Sequence, residues 1–178
     1  MSLIILFGLP GAGKTFVGNI FKKYFDYYFY DGDNDLTKEM KEAIKVQKVF
    51  TDQMRDIFFK RLINEIQKLL ALSEVEGKSK HKKLIVAQTF IKEKYRVSLI
   101  NKIPNTKFIL IETKKIIREK RLMQRTDYPL DLEYARKMEI SFERPMIDHL
   151  VITNNIDGVE DIKKQIDRLD PRLHGDDG

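Results

Sequence analysis

Gly8-Leu9-Pro10-Gly11-Ala12-Gly13-Lys14-Thr15 fits the pattern G-x-x-x-x-G-K-[ST], a glycine-rich phosphate loop. It follows directly on the apolar run Leu3-Ile4-Ile5-Leu6-Phe7 and opens a segment with helical spacing, the strand-to-helix setting that the pattern needs. Glycines at Gly8, Gly11 and Gly13, with the small Ala12 between, let the backbone curl so that successive N–H groups point at phosphate oxygens. The helix beginning near Gly13 adds the positive end of its dipole. In such a loop Lys14 reaches the β- and γ-phosphates of a nucleotide, and the Thr15 hydroxyl is placed to hold magnesium. ATP and Mg2+ are therefore the expected cofactors.

Moving outward, short apolar runs recur at Tyr27–Tyr30, Leu84–Ala87, Lys107–Ile111 and Leu150–Ile152. Between them lie segments with helical periodicity. In the clearest, Met54, Phe58, Leu62, Ile66 and Leu69 repeat every three to four residues behind a capping Thr51. Further helices are expected after Lys14, Lys92, Lys114, Asp131 and Val159. Strands that alternate with helices predict a three-layer α/β domain. Gly77 to Lys83 reads as a polar turn and His174 to Gly178 as a frayed tail. No repeat or linker divides the chain, so residues 1–178 are expected to form a single domain.

A chain of 178 residues with 42% hydrophobic and 34% charged residues has enough apolar surface for one core. It contains no cysteine, which removes disulfides, zinc thiolate sites and cysteine nucleophiles from consideration. The apolar start is too short for a signal peptide, and no run approaches the ~18 residues of a membrane helix, so a soluble, cytoplasmic protein without a membrane partner is expected. The net charge of +6 suits anionic ligands, but scattered over a surface it does not point to nucleic acid as a partner.

Downstream motifs narrow the chemistry. No guanine-reading Asn-Lys-x-Asp is present, and Leu84-Ile85-Val86-Ala87-Gln88-Thr89 ends without the magnesium-binding acid of many P-loop ATPases. Asp31-Gly32-Asp33 follows the second strand and should lie at the carboxyl edge of the sheet, beside the phosphate loop. There Asp31 could hold a metal-bound water, and Asp33 could accept or orient the proton of an attacking hydroxyl.

These residues resemble the gluconate kinase and shikimate kinase group of P-loop small-molecule kinases, gluconate kinase more closely. The resemblance rests on Gly8–Thr15 with Gly18, on Asp31-Gly32-Asp33, and on Thr51-Asp52-x-x-Arg55 at an ungapped distance from it. It continues through Val86-Ala87-Gln88-Thr89-Phe90-Ile91-Lys92-Glu93-Lys94-Tyr95-Arg96, Arg121-Leu122-x-x-Arg125 and Glu143-Arg144-Pro145. It implies a P-loop NTPase fold with a five-stranded parallel sheet, helices on both faces and a helical lid over about 114–143. It also implies transfer of phosphate from ATP to a hydroxyl of a small molecule such as a sugar acid. Arg55, Lys92, Tyr95 and Arg96 would bind that acceptor, Arg121 and Arg125 would bind nucleotide from the lid, and Lys14, Asp33 and Arg125 would carry catalysis. The chain departs from the gluconate kinase pattern at Leu36, Thr37, Met54 and Glu93, and these departures put gluconate itself in doubt. Adenylylsulfate kinases share a similar Asp-Gly-Asp-Asn and Phe-Ile…Tyr-Arg, so an adenylylsulfate-like or nucleotide acceptor stays open, as does a non-catalytic ATP-binding module. Either a monomer or a homodimer is compatible with the sequence.

Spacing adds one further expectation. Lys114, Arg118, Arg121 and Arg125 would form a single basic stripe on a helix, with Lys114 and Arg118 on a solvated face and Arg121 and Arg125 beside a tip at Thr126–Leu130.

Overall fold

The computed structural model describes residues 2–75, 83–125 and 131–169. The polar stretch from Gly77 to Lys82, the tip at Thr126–Leu130 and the tail from His174 lie outside them. The strands are β1 (Ser2–Phe7), β2 (Tyr28–Asp31), β3 (Lys83–Ala87), β4 (Lys107–Glu112) and β5 (Leu150–Thr153). The helices are α1 (Lys14–Tyr24), α2 (Lys38–Lys45), α3 (Asp52–Val75), α4 (Glu93–Lys102), α5 (Lys115–Met123), α6 (Leu132–Ser141) and α7 (Val159–Leu169). Every expected strand and helix is present.

The strands form one five-stranded sheet in the order β2-β3-β1-β4-β5, with every pairing parallel. β1 is central and buried on both faces, which is why it reads as an unbroken apolar run. Successive side chains point to opposite faces. Leu3, Ile5 and Phe7 pack with Phe58, Leu62 and Ile66 of α3 and Leu99 of α4. Ile4 and Leu6 pack with Val17, Ile20 and Phe21 of α1 and Ile162 and Ile166 of α7. The three expected layers follow.

Register places the chemistry. Phe7 pairs with Leu110, Asp31 with Ala87, Leu6 with Ala87, and Glu112 with Thr153, so the strands end at one edge. The residues that follow them, including Gly8, Gly32, Gln88, Thr113 and Asn154, gather along that carboxyl edge, where open α/β sheets bind ligands.

Two elements were not foreseen. Asp31-Gly32-Asp33 is more than a turn: Gly32–Asp35 winds into a 3-10 helix, with the Asp31 carboxylate accepting from the Asp33 N–H at 3.0 Å. After it comes α2, capped by Thr37 Oγ1, which accepts from the Met40 N–H at 3.2 Å. Of its residues only the apolar Met40, Ala43 and Ile44 are buried, a stripe barely one turn long and too short to stand out as a period. No helix among the described residues is long and apolar enough to cross a membrane.

Candidate active site

The phosphate loop is held in shape from behind. Its Ala12 carbonyl accepts from Asn154 Nδ2 at 3.1 Å, Thr113 Oγ1 at 3.0 Å and Arg121 Nη1 at 3.4 Å. A trans peptide sets its N–H opposite its C=O, so pinning this carbonyl backward turns the Gly13 N–H forward. Gly13 caps α1 in the left-handed region, φ 91°, and a Cβ there would meet Asn154 Nδ2 at 2.2 Å. The first turn of α2 is closed by Thr37 and that of α6 by Asp131, but α1 begins with no side-chain cap and no acidic residue. Its first N–H groups have no partner within the helix and are left for an anion.

Lys14 folds over the loop and donates to the carbonyls of Gly8 at 2.9 Å and Leu9 at 3.1 Å. Burial pushes its ammonium down to about 8, against the pull of the Asp33 and Asp31 carboxylates. Desolvation holds the Asp31 carboxyl above the usual carboxylate range, partly offset by the Asp33 N–H. Asp33 is fixed by a residue that the sequence did not mark. Gln88 Nε2 donates to Asp33 Oδ1 at 3.0 Å, while Gln88 Oε1 accepts the Thr89 N–H at 2.6 Å. Gln88 stands just past β3 where a magnesium-binding acid is absent, and it is buried. A polar side chain at the carboxyl edge of an otherwise apolar strand was the signal that could have found it.

A single cavity of about 280 Å3 joins these groups, its lining including Gly11, Gly13, Lys14, Thr15, Asp31 and Asp33. Arg55, Gln88, Arg121 and Arg125 face the same space. Arg55 is buried, and its Nη1 reaches the exposed Asp52 at 3.2 Å. Gly8 and Ala12, two of the expected nucleotide contacts, are not among the lining side chains, as expected for residues that act through their backbone.

Lys92, Tyr95 and Arg96 are not brought into the cavity. Lys92 Nζ pairs with Glu143 at 3.1 Å. The Tyr95 hydroxyl lies 2.7 Å from Asp56 Oδ1, and its ring stacks on Phe59 with centroids 4.1 Å apart. Arg96 is fully buried; it donates to the carbonyls of Phe90, Ile91 and Glu143 and pairs with Glu93. Lys92 and Arg96 tie the start of α4 to the chain that returns from α6, and Tyr95 ties it to α3. Glu93, one of the departures from the gluconate kinase pattern, accepts the N–H groups of Met146 and Ile147 through the same junction.

The basic stripe also needs correction. α5 covers only Arg118 and Arg121 of the four positions, since Lys114 caps the helix and Arg125 lies beyond its end. Arg118 is not solvated but buried, 3.2 Å from Glu139 of α6. Arg121 donates to the Gly11 and Asn154 carbonyls at 3.1 and 2.9 Å and pairs with Asp157 at 2.9 Å. It braces the phosphate loop against the segment after β5, so Asn154, Thr113 and Asp157 are the remaining site residues that the sequence reading missed. Arg125 lies exposed at the cavity, close enough to act electrostatically on Lys14 and Asp31.

Among the described residues there is no cluster of three or more side chains able to hold a metal alone. Magnesium does not need one, because it keeps waters and takes most of its oxygens from bound phosphates. The Thr15 hydroxyl and the Asp31 carboxylate on the cavity wall fit that donor set.

No family model matches the chain, and no curated protein matches it. Solved structures do. A sugar kinase from Janibacter sp. HTCC2649 superposes with a TM-score of 0.74 at 15% identity, over 97% of this chain and 98% of that one. A gluconokinase from Sinorhizobium meliloti 1021 gives 0.71 at 18% identity, over 99% and 98%. The Mycobacterium tuberculosis APS kinase, in complex with AMPPNP and APS, gives 0.60 at 19% identity, over 93% and 95%. With a parallel sheet, a phosphate loop after its central strand and these neighbours, the chain has the α/β fold of the P-loop kinases.

Proposed function

We propose that the protein transfers the terminal phosphoryl group of ATP to a hydroxyl of a small metabolite, with magnesium. One observation carries this reading: the open N-terminus of α1 and the Asp33 carboxylate border the same cavity. A nucleotide phosphate and an acceptor hydroxyl can therefore meet there without water between them.

In this reading the loop amides and Lys14 bind the β- and γ-phosphates, while Thr15 and Asp31 hold the magnesium. Magnesium, when bound, draws negative charge from the bridging oxygens. Asp33, steadied by Gln88, takes the proton of the acceptor hydroxyl. The acceptor oxygen bonds to the γ-phosphorus, the bond to the β,γ-bridging oxygen breaks, and ADP leaves with the electron pair. Arg125 balances the charge on the transferring group from the side opposite the loop. Arg55 orients the acceptor, and α5 and α6 form the lid, of which α6 is the moving part. Because Arg121 already has its partners in the loop and at Asp157, its part is to hold the nucleotide site in shape.

The test is ADP release with magnesium and ATP against sugar acids, polyols, shikimate, adenylylsulfate and nucleosides, with folded Lys14→Ala as the control. Acceptor-dependent release that the variant lacks is expected. Tight ATP binding without turnover on any acceptor would instead identify a nucleotide-sensing module.

A further inference from the structure

The half of the cavity away from the phosphate loop is built of hydrocarbon. Phe58, Phe59 and Phe90 form one wall, with Phe58 and Phe59 centroids 4.9 Å apart and Phe59 and Phe90 4.8 Å apart. The wall is backed from inside the fold, where Tyr95 stacks on Phe59 and Phe108 meets the edge of Phe90. Met40 and Ile44 of α2 line it further, and Tyr134 and Met138 of α6 also face the cavity. Rings packed this way cannot turn aside, so the surface offered to a ligand is fixed and apolar.

Polar side chains on this half are few. Gln88 has both ends of its amide engaged, by Asp33 and by the Thr89 N–H. Among the described residues Arg55 is the guanidinium on this half, buried at 7% exposure, with the exposed Asp52 carboxylate on its Nη1. A buried cation among rings is costly unless an anion meets it, and its remaining N–H groups form a fork suited to a carboxylate or phosphate. A polyol would bring a hydroxyl on nearly every carbon and find apolar walls, and each hydroxyl stripped of water without a partner weakens binding.

Building on the kinase reading above, we propose that the acceptor is a flat, largely apolar alcohol carrying one anionic group, and not a polyol acid. Its hydroxyl meets Asp33, its ring lies along Phe58, Phe59 and Phe90, and its anion meets Arg55. The cavity volume, about 280 Å3 in all, suits phosphate groups and one small ring compound.

The test compares four acceptors in the ADP-release assay: 3-(hydroxymethyl)benzoate, 3-(hydroxymethyl)phenyl phosphate, benzyl alcohol and gluconate. The better flat anion is expected to exceed gluconate at least ~30-fold in kcat/KM, the factor that follows when one ring face leaves water. Whether the benzoate or the phenyl phosphate leads tells carboxylate from phosphate. Benzyl alcohol should trail the better anion by ~10-fold or more, and Arg55→Met should abolish that gap while leaving the KM for ATP unchanged. Gluconate matching or exceeding both flat anions overturns the proposal, as does an Arg55→Met variant that keeps the gap. Should no compound turn over, calorimetry with a non-hydrolysable ATP analogue separates the two readings. Binding of a flat anion but not gluconate would keep the assigned pocket and reject the kinase, whereas no preference would reject the pocket as well.

Discussion

Lys14 is the residue whose titration gives the site a pH signature. In the free protein burial brings its ammonium to about 8, while in the unfolded chain it would lie near 10.5. A nucleotide phosphate beside it favours the charged form, so its value rises on binding. Well below pH 8 the proton is already present, and binding takes up none at this group. From about pH 8 upward binding must take up a proton, so ATP affinity should fall as pH rises, by up to tenfold per pH unit. Calorimetry in buffers of different ionisation enthalpy would detect the uptake, which Lys14→Ala should abolish along with at least ~10²-fold of turnover. Asp33→Asn keeps shape but not basicity, and turnover should drop roughly 10²–10⁴-fold with ATP affinity nearly unchanged. Gln88→Leu leaves the carboxylate in place but unsteadied, so kcat should fall about tenfold, again without a change in the KM for ATP. A loss of ATP binding in either variant would show that the acceptor and nucleotide roles had been interchanged. Asp33 was legible from its place after the second strand. Gln88 left only the trace of a polar side chain ending an apolar strand, because its function comes from a partner fifty-five residues away.

At the level of elements, α5 holds the phosphate loop in place. Its backbone abuts the phosphate loop so closely that a Cβ on Gly11 would lie 2.7 Å from the Arg118 carbonyl oxygen, and Gly11 has φ 78°. Gly11→Ala should therefore cost at least ~2 kcal/mol of stability and weaken ATP binding together, measurable as a lower Tm with a raised ATP KM. A variant with normal stability and affinity would mean that the loop and helix can part freely. The basic residues at the two ends of α5 should differ: Arg125→Ala is expected to lower turnover by about 10²–10³-fold, while Lys114→Ala, away from the cavity, should change it little. Equal small losses at both would reduce Arg125 to surface charge. Helical spacing predicted a stripe for these residues because periodicity assumes that the helix continues. It stops at Met123, and the tertiary pair with Glu139 draws Arg118 inward. The strands and the long α3 were legible because burial on a sheet or along a helix face repeats in the sequence. The short α2 and the ring wall of the cavity were not. Phe58, for example, repeats with the core residues of α3, and nothing local tells a ring facing the core from one facing a ligand.

Across the whole molecule, Arg96 and Glu143 tie the chain leaving α6 back onto α4, as the contacts of Arg121 and Gly11 tie α5 to the phosphate loop. The similarity to solved kinases over nearly the full chain supports the layer order. Lys92, Tyr95 and Arg96 matched a substrate-binding segment by motif, yet sequence order could not reveal that Lys92 and Arg96 turn into this junction and Tyr95 onto α3. One consequence follows from the close seat of α5 on the loop. If α5 cannot lift without dragging the loop with it, the swinging part of the molecule is shorter than the sequence interval of the lid, and its fulcrum lies near Gln124 rather than Lys114. Hydrogen exchange should then show the amides of α5 protected as well as those of α1, with α6 opening independently and exchanging at least ~10-fold faster. Matched fast exchange across α5 and α6 would restore the longer lever. With the shorter one, opening for product release leaves the nucleotide cradle assembled, ready for the next ATP without refolding.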